Sequence, residues 1–172
     1  MSFIHRKEDR PMILKKLREC LDSHNVKYTI ISHSPAYTAQ EIAATAHISG
    51  REVAKTVIVN TDQKKVMVVL PASHMVDFRL LADSLGSTRA VLTSEVEFRD
   101  LFQECEVGAM PPFGNLFNMD VVVAKALTED DEIAFNAGTH RELVMMRYED
   151  FERLVSPTVL NCTVPKKIGA TA

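Results

Sequence analysis

Residues 51–70, REVAKTVIVNTDQKKVMVVL, constrain the fold more than any other part of the chain. Two runs rich in β-branched residues flank the polar stretch NTDQK, a pattern that predicts an antiparallel hairpin. In an extended strand, Val53, Lys55, Val57 and Val59 share one face, and residues 54, 56 and 58 share the other. The first strand of the hairpin therefore carries one lysine among three valines.

Lys55 is the charge in this hairpin that needs an explanation. A lysine on an apolar strand face either extends its ammonium to water or lies in a cleft, where the ammonium meets an anion or a polarised oxygen. The sequence shows neither the burial nor the cationic neighbour that would lower its pKa toward neutrality. Lys55 is therefore interpreted as a ligand anchor rather than as a proton-transfer base.

Composition narrows the class of protein. The 172 residues are 46% hydrophobic without an apolar run near 20 residues, which predicts one soluble domain and no membrane span. The N-terminal MSFIHRKEDRP lacks the features of a signal peptide, so the cytoplasm is the expected location. Three widely spaced cysteines, Cys20, Cys105 and Cys162, predict reduced structural thiols, with a reactive thiol at Cys105 as the less favoured alternative.

Charge excludes one class of partner. A net charge of −3 and a pI near 6.1 argue against holding a long nucleic-acid backbone by counterion release, so DNA is not an expected partner. A small RNA end remains compatible with this charge. Local basic groups, Lys166 and Lys167 among them, fit a solvated surface and do not decide the partner.

Hydrophobic periodicity predicts alternating helices and strands that form no regular βαβ repeat. Thr38 and Ser94 begin two predicted capping boxes, and Gly86 is a predicted helix stop. The chain is predicted as a single domain, 1–172, with a core at 26–155, an N-terminal helix within 1–25 and an irregular tail at 156–172. Predicted helices occupy 11–25, 38–47, 76–85, 94–102 and 148–155; further predicted strands occupy 26–32, 88–92, 120–126, 132–135 and 143–147.

Two turns could carry chemistry. The loop GAMPPFG at 108–114 combines two glycines with two prolines, and such a loop can direct backbone N–H groups at a carbonyl oxygen. The turn at 138–140, Gly-Thr-His, places a histidine at its exit. Taken alone, each is more often a structural turn. The six histidines show no metal-ligand spacing, and the chain lacks the GxSxG, Walker and GxGxxG motifs, so neither a metal nor a nucleotide cofactor is expected.

These stretches together resemble the YbaK/prolyl-tRNA-synthetase-associated domain family. The resemblance rests on VAKTVIV around Lys55, on VLPASHMVDFRLLADSLG, on GAMPPFG and on NAGTHRELVMMRYEDFERLV, and it covers residues 26–155. It implies a compact α/β (α+β-like) domain with a mixed, mostly antiparallel central sheet flanked by helices. It also implies a deacylase that removes wrongly attached amino acids from the 3′ acceptor end of tRNA.

The resemblance assigns roles to individual residues. Lys55 matches the functional lysine of the family, Gly108 begins its GxxxP loop of carbonyl-binding amides, and His140 helps to shape the substrate pocket. It further implies that the terminal ribose hydroxyl helps to activate the attacking water. Residues expected to line the substrate site are His33, Met110, Pro111, Pro112, Gly138 and Thr139. Thr56 is expected on the strand face opposite Lys55, in the core.

Three readings of function follow from this resemblance. The favoured one is a metal-independent aminoacyl-tRNA hydrolase that acts in trans on tRNA carrying a small amino acid. The alternative is a binding module without catalysis, which the acidic pI favours slightly. The third is a subunit that acts with an aminoacyl-tRNA synthetase, with the N-terminal helix or the tail after Ser156 as the docking surface.

Overall fold

The computed structural model describes residues 13–167, so the predicted helix start at Pro11 lies outside the described part. Helices and strands alternate along this part of the chain, which also contains short 3-10 helices at Arg99–Phe102, Gly114–Phe117 and Lys125–Glu129. The elements are α1 Lys15–Ser23, β1 Tyr28–Ser32, α2 Ala39–Ala46, β2 Ala54–Thr61, β3 Lys65–Pro71, β4 His74–Val76, α3 Phe78–Leu85, β5 Ala90–Leu92, α4 Glu95–Phe98, β6 Val121–Ala124, β7 Glu132–Asn136, β8 Glu142–Arg147, α5 Tyr148–Val155, β9 Thr158–Leu160 and β10 Thr163–Pro165.

The strands form three sheets. A five-stranded sheet has the order β5-β2-β3-β6-β9, in which β2 pairs antiparallel with β3 and β5, while β6 pairs parallel with β3 and β9. A three-stranded antiparallel sheet has the order β1-β8-β7, and β10 pairs antiparallel with β4. This confirms the expected α/β fold with mixed, mostly antiparallel pairing. The strands are, however, divided among three sheets rather than gathered in one.

The predicted hairpin is confirmed as β2 and β3, with Lys55 opposite Leu70. Val57 and Val59 pack in one hydrophobic cluster with Leu81 of α3. Ala54 and Ile58 pack in the main core on the other face. The alternation of faces read from the sequence therefore holds along this strand, and Lys55 starts on the face that α3 covers.

Side-chain caps fix the ends of the helices. The Thr38 hydroxyl accepts the Glu41 N–H at 3.1 Å, and the Ser94 hydroxyl accepts the Glu97 N–H at 3.4 Å, as the two capping boxes predict. Gly86 ends α3 in the left-handed conformation. The same helix begins two residues later than predicted, because Asp77 is its N-cap and residues 74–76 form a strand.

The prediction of an irregular tail at 156–172 is wrong for the residues that the structure describes. Residues 158–160 extend the five-stranded sheet, and residues 163–165 pair with β4, so the chain after Val155 is part of the folded structure. Each of these strands has three residues, which is too short for a period of two to emerge from the sequence. The pairing brings the C-terminal segment back to the start of β2.

Candidate active site

A cleft lies where β2 meets the three-stranded sheet. Strand β5 pairs with β2 only from Val59 to Thr61, so the first half of β2 has a free edge, and a single bridge joins Val53 to Ala134 of β7. The cleft has a volume of about 140 Å³, close to the cavity of about 150 Å³ that admits benzene. Its lining comprises residues 53–56 at the start of β2, the loop residues Gly108 and Met110, and four residues from other elements: Tyr37, Ile42, Asn136 and Leu143.

Lys55 lines this cleft and is half-buried. Burial is the largest cause that lowers the pKa of Lys55, and the positive charge of Lys166 and a side-chain hydrogen bond with Lys166 lower it further, to about 8. The structure thus supplies both conditions that the sequence did not reveal, a desolvated ammonium and a cationic neighbour. At pH 7 the group is still mostly protonated.

Lys166 and His74 were not identified from the sequence as site residues. The backbone N–H of Lys166 donates to Ser73 O at 2.9 Å, directly after the pairing of Pro165 with His74. Burial and the charges of Arg51 and Lys55 lower the pKa of His74, against an opposing effect of Glu129. No sequence signal could have linked these residues to Lys55, because they approach it only through the pairing of β10 with β4.

The loop at 108–112 carries two unpaired amides. The Ala109 N–H donates to Glu106 O at 3.0 Å, whereas within residues 13–167 the N–H groups of Gly108 and Met110 have no hydrogen-bond acceptor. Gly108 and Met110 are also the two residues of this loop that line the cleft. Pro111 and Pro112 are buried and do not belong to the lining, and their rings restrict the backbone of the loop.

The Gly-Thr-His turn is bonded to this loop. The Glu106 N–H donates to Gly138 O at 2.9 Å, the Gly138 N–H donates to Ala109 O at 3.0 Å, and the His140 N–H donates to a carboxylate oxygen of Glu106 at 3.0 Å. Gly138 has φ +104°, and a Cβ there would lie 3.2 Å from Leu14 Cβ. The two stretches that the sequence singled out separately therefore form one unit.

His140 is buried and fixes the loop rather than lining the cleft. Its Nε2 lies 2.8 Å from Val107 O, and since a carbonyl can only accept, Nε2 carries the proton. Its Nδ1 is buried without a partner among the described residues. The ring also packs against Tyr37, with centroids 4.7 Å apart. The imidazole thus supports both Val107 and one residue of the cleft lining.

Two other predicted site residues, His33 and Thr139, lie outside the cleft lining. The His33 Nδ1 donates to Ser34 O at 2.7 Å, and His33 does not belong to the lining. The Thr139 hydroxyl donates to the Glu142 carboxylate, outside the lining. The prediction that Thr56 lies in the core is wrong: Thr56 is half-buried and lines the cleft beside Lys55. The free edge of β2 is the reason, because a cleft along an edge reaches residues of both faces.

Asn136 is a lining residue that sequence reasoning missed. Its Oδ1 is buried and has no hydrogen-bond partner within the described residues. Its position at the end of β7, two residues before the first residue of the Gly-Thr-His turn, is the signal that could have identified it. An unpaired amide oxygen in the lining can accept a hydrogen bond from a ligand.

Cys105 lies outside the chemistry of the site. Burial and the charge of Glu104 raise the pKa of its thiol to about 11, against an opposing effect of Lys16. A thiol with such a pKa is protonated and weakly nucleophilic at neutral pH. The described residues contain no group of three or more histidine, cysteine, aspartate or glutamate side chains placed to hold a metal ion. Within residues 13–167 no helix is both long and apolar enough to cross a bilayer.

Comparison with known proteins places this geometry in a family. Residues 33–154 match the family model of the aminoacyl-tRNA editing domain. The multifunctional Ser/Thr-tRNA deacylase ProXp-y of Escherichia coli K12 is 27% identical over 152 residues, which cover 86% of this chain and 90% of the relative. The prolyl-tRNA editing protein ProX of Acetoanaerobium sticklandii is 27% identical over 141 residues, covering 78% and 85%.

Solved structures support the same fold. A crystal structure of a hypothetical protein superposes with a TM-score of 0.79 at 20% identity, covering 87% of this chain and all of that one. Another, described as a proposed trans-editing enzyme for prolyl tRNA synthetase, gives a TM-score of 0.75 at 16% identity and covers 87% and 96%. With the family model spanning most of the folded core, the chain belongs to the aminoacyl-tRNA editing domain family.

Proposed function

We propose that this protein is an aminoacyl-tRNA deacylase that hydrolyses, in trans, the ester of tRNA mischarged with a small amino acid. One observation carries the proposal: Lys55 lines the same small cleft as the two loop residues whose backbone N–H groups are unpaired, Gly108 and Met110. The 3′ end of an aminoacyl-tRNA carries phosphate groups and an ester carbonyl. A cation can bind the phosphate, and two N–H donors can stabilise the carbonyl oxygen. Membership of the editing-domain family agrees with this chemistry.

The loop amides act on the ester carbonyl. A water oxygen attacks the carbonyl carbon, and the negative charge that develops on the carbonyl oxygen is stabilised by the N–H groups of Gly108 and Met110. The bond between the carbonyl carbon and the ribose oxygen then breaks, and the ribose oxygen takes the proton that the water gave up. The products are a free amino acid and a tRNA with its terminal hydroxyl restored. Removing one such donor costs about 3 kcal/mol in the transition state.

Lys55 holds the RNA end in this mechanism. Its ammonium binds a phosphate or hydroxyl of the terminal adenosine, and a bound anion favours the protonated amine. A pKa of about 8 also brings Lys55 within the range of a general base. The two roles differ in their pH dependence. An anchor requires the charged form, so kcat/KM falls as pH rises through about 8, whereas a base requires the neutral form, so kcat/KM rises over the same range.

The size of the cleft limits the amino acid. A volume of about 140 Å³ leaves room for the ester group and a side chain of only a few heavy atoms. Ile42, Met110 and Leu143 contribute apolar side chains to the lining, and the Asn136 Oδ1 offers one acceptor to a hydroxyl or ammonium. Relatives named for Ser/Thr-tRNA deacylation and for prolyl-tRNA editing fit this range of substrates.

A panel of charged tRNAs tests the proposal. The protein is incubated with tRNAs carrying alanine, serine, threonine or cysteine, and release of the amino acid is compared with the uncatalysed rate. We expect accelerated release from at least one of them, and loss of that acceleration in Gly108→Ala. If folded protein accelerates none of the four but still binds tRNA, the non-catalytic binding module is the correct reading.

The proposal also defines partners and place. The partner is the 3′ acceptor end of aminoacyl-tRNA, and the reaction belongs in the cytoplasm, which stays a prediction. Association with a synthetase stays a prediction as well. The assay repeated with the cognate synthetase of the deacylated tRNA would reveal such association as a change in KM.

A further inference from the structure

The C-terminal strand ends beside the cleft. After β10, the Lys166 N–H donates to Ser73 O at 2.9 Å, and the Ser73 N–H donates to Gly50 O at 3.2 Å. Gly50 lies in the turn that leads into β2, and the Ala72 N–H donates to Val53 O at 2.8 Å. These bonds fix the backbone of Lys166 next to the first residues of β2. Its position is therefore set by sheet pairing and not by a flexible tail.

This backbone position brings Lys166 close enough to Lys55 for its positive charge to act on the Lys55 ammonium. Two neighbouring ammonium groups repel each other unless an anion lies between them or one loses its proton. Four other lysines of the described chain, Lys15, Lys16, Lys64 and Lys65, form ion pairs with carboxylates. Neither Lys55 nor Lys166 has a carboxylate partner among residues 13–167.

The nearby carboxylates of Glu129 and Asp130 act on Arg51. Arg51 lies 4.0 Å from a carboxylate oxygen of Glu129 and forms an ion pair with it. Glu129 is also the acidic residue that acts on His74. His74 contributes an imidazole whose pKa is lowered, so it adds no third full charge at pH 7. The remaining titratable group of the cleft lining is Tyr37. Lys55 is therefore the cation of the cleft lining, and Lys166 is a cation close to it.

We propose that Lys166 and Lys55 form one two-cation site that binds the last internucleotide phosphodiester of the tRNA acceptor end. This rests on the proposed function and deepens it, because it makes the C-terminal strand part of the substrate site. Each ammonium donates to a different non-bridging oxygen of the phosphate. The anion relieves the repulsion between the cations, so the protein discriminates a phosphate-bearing end from a free nucleoside.

Binding of small RNA fragments tests the site without turnover. The probes are the dinucleotide CpA, which carries one phosphodiester, and adenosine, which carries none. We expect Lys166→Met to weaken CpA binding about tenfold, the loss of one charge-assisted hydrogen bond, and to leave adenosine binding unchanged. Lys167→Met removes the same charge from an exposed neighbour and should affect neither probe. Unchanged CpA binding in Lys166→Met, or equal weakening of both probes, overturns the site.

The pKa of Lys55 gives an independent measurement. NMR titration of the lysine side-chain signals, with the Lys55 signal assigned through Lys55→Arg, is carried out on the wild type and the two methionine variants. Lys166→Met should raise the pKa of Lys55, since one cationic neighbour is gone, but burial should keep it below its ordinary value. Lys167→Met should leave it in place. A Lys55 pKa that Lys166→Met does not move overturns the pairing.

The outcomes separate this inference from the deacylase proposal. If no charged tRNA is hydrolysed but CpA binding depends on Lys166, the phosphate site stands and the catalytic proposal falls. If hydrolysis occurs and Lys166→Met changes neither CpA binding nor the pKa of Lys55, the catalytic proposal stands and the phosphate site falls.

Discussion

The two sides of the cleft are built from different groups. The cationic side consists of Lys55 in the lining, with Lys166, His74 and Arg51 nearby, and its groups are half-buried or exposed side chains. The loop side consists of residues 106–110 locked to the turn that ends in His140, and what it offers a ligand is backbone N–H. Side-chain cations attract a polyanion from solution, whereas fixed amides act on one oxygen.

This difference assigns binding and bond cleavage to separate sides. A cation that contacts phosphate does so equally in the ground state and the transition state, so its loss should raise KM. An amide that meets a developing oxyanion acts mainly in the transition state, so its loss should lower kcat. Substitutions on the two sides should therefore separate kinetically.

The largest effect is expected from Gly108→Ala on the loop side. Gly108 has φ +84°, and alanine in this conformation is strained by about 1–2 kcal/mol. A Cβ would lie 3.6 Å from His140 Cε1, an ordinary contact, so the backbone rather than a clash would displace the N–H. We expect kcat in single-turnover deacylation to fall about a hundredfold, with KM nearly unchanged.

Gly86→Ala is the matched control for that substitution. Gly86 has φ +66°, and a Cβ there meets nothing within 4 Å. It therefore introduces similar strain at a helix end away from the cleft and should lower stability without changing kcat. Equal kcat values in the two variants would show that the Gly108 amide has no special part in the reaction.

A smaller effect is expected from Lys55→Met on the cationic side. Loss of a charged hydrogen-bond donor worth about 2 kcal/mol should raise KM about 30-fold, with little change in kcat. The KM of the wild type should also rise more steeply with salt than that of the variant. Lys65→Met is the control of equal charge, because Lys65 of β3 is also half-buried but forms an ion pair with Glu97 at 3.8 Å, outside the cleft lining. A fall in kcat as large as the rise in KM would abolish the separation between the two sides.

A third effect, again on the loop side, is expected from His140→Ala. The variant loses the bond from Nε2 to Val107 O and opens a buried space, which should lower the free energy of unfolding by about 2 kcal/mol and kcat about tenfold. His24→Ala provides the comparison, because His24 is exposed and its Nδ1 also lies 2.8 Å from a backbone carbonyl, that of Cys20. Urea denaturation gives the free energy of unfolding of both variants, and single-turnover assays give their rates. If the two variants lose a similar fraction of the wild-type rate, His140 contributes to stability only.

Sequence reasoning reached the parts of the site that depend on local pattern. The hairpin, the place of Lys55 among valines and the glycine-proline loop are encoded within short windows, where alternation and turn residues act directly. The capping boxes at Thr38 and Ser94 succeeded for the same reason, since a cap and the N–H it accepts are three residues apart.

What remained hidden depends on contacts between distant parts of the chain. Lys166 lies near Lys55 because of the three-residue strand β10, which no sequence pattern predicts. Thr56 lines the cleft because β5 pairs with β2 only from Val59 to Thr61 and does not cover it. The low pKa of Lys55 follows from both, since desolvation and a cationic neighbour are properties of the assembled fold. Electrostatics at this site could not be read before topology was known.

The smallest expected effect is that of Lys55→Met on the free energy of unfolding. The substitution should increase stability although it weakens substrate binding. Because the pKa of Lys55 is about 8 in the folded protein and higher in the unfolded chain, the unfolded chain binds more protons between these values, and stability rises with pH through that window. Below pH 8 the charged ammonium opposes folding in full. Discounted for the part of the side chain in solvent, this amounts to about 1 kcal/mol.

Lys55→Met should therefore be more stable than the wild type by about 1 kcal/mol at pH 7, while it binds substrate less tightly. The gain should shrink as pH rises through 8 and be nearly gone by pH 10.5, where the wild-type amine is neutral in the folded protein and half neutral in the unfolded chain. Urea denaturation of both proteins at pH 7 and pH 10.5 measures this, with Lys65→Met as the reference for loss of an ion-paired lysine outside the cleft. A variant that is destabilised at pH 7 would mean that the stem of Lys55 contributes more through packing than its buried charge removes, and the cationic side would then be a stabilising element as well as a binding one.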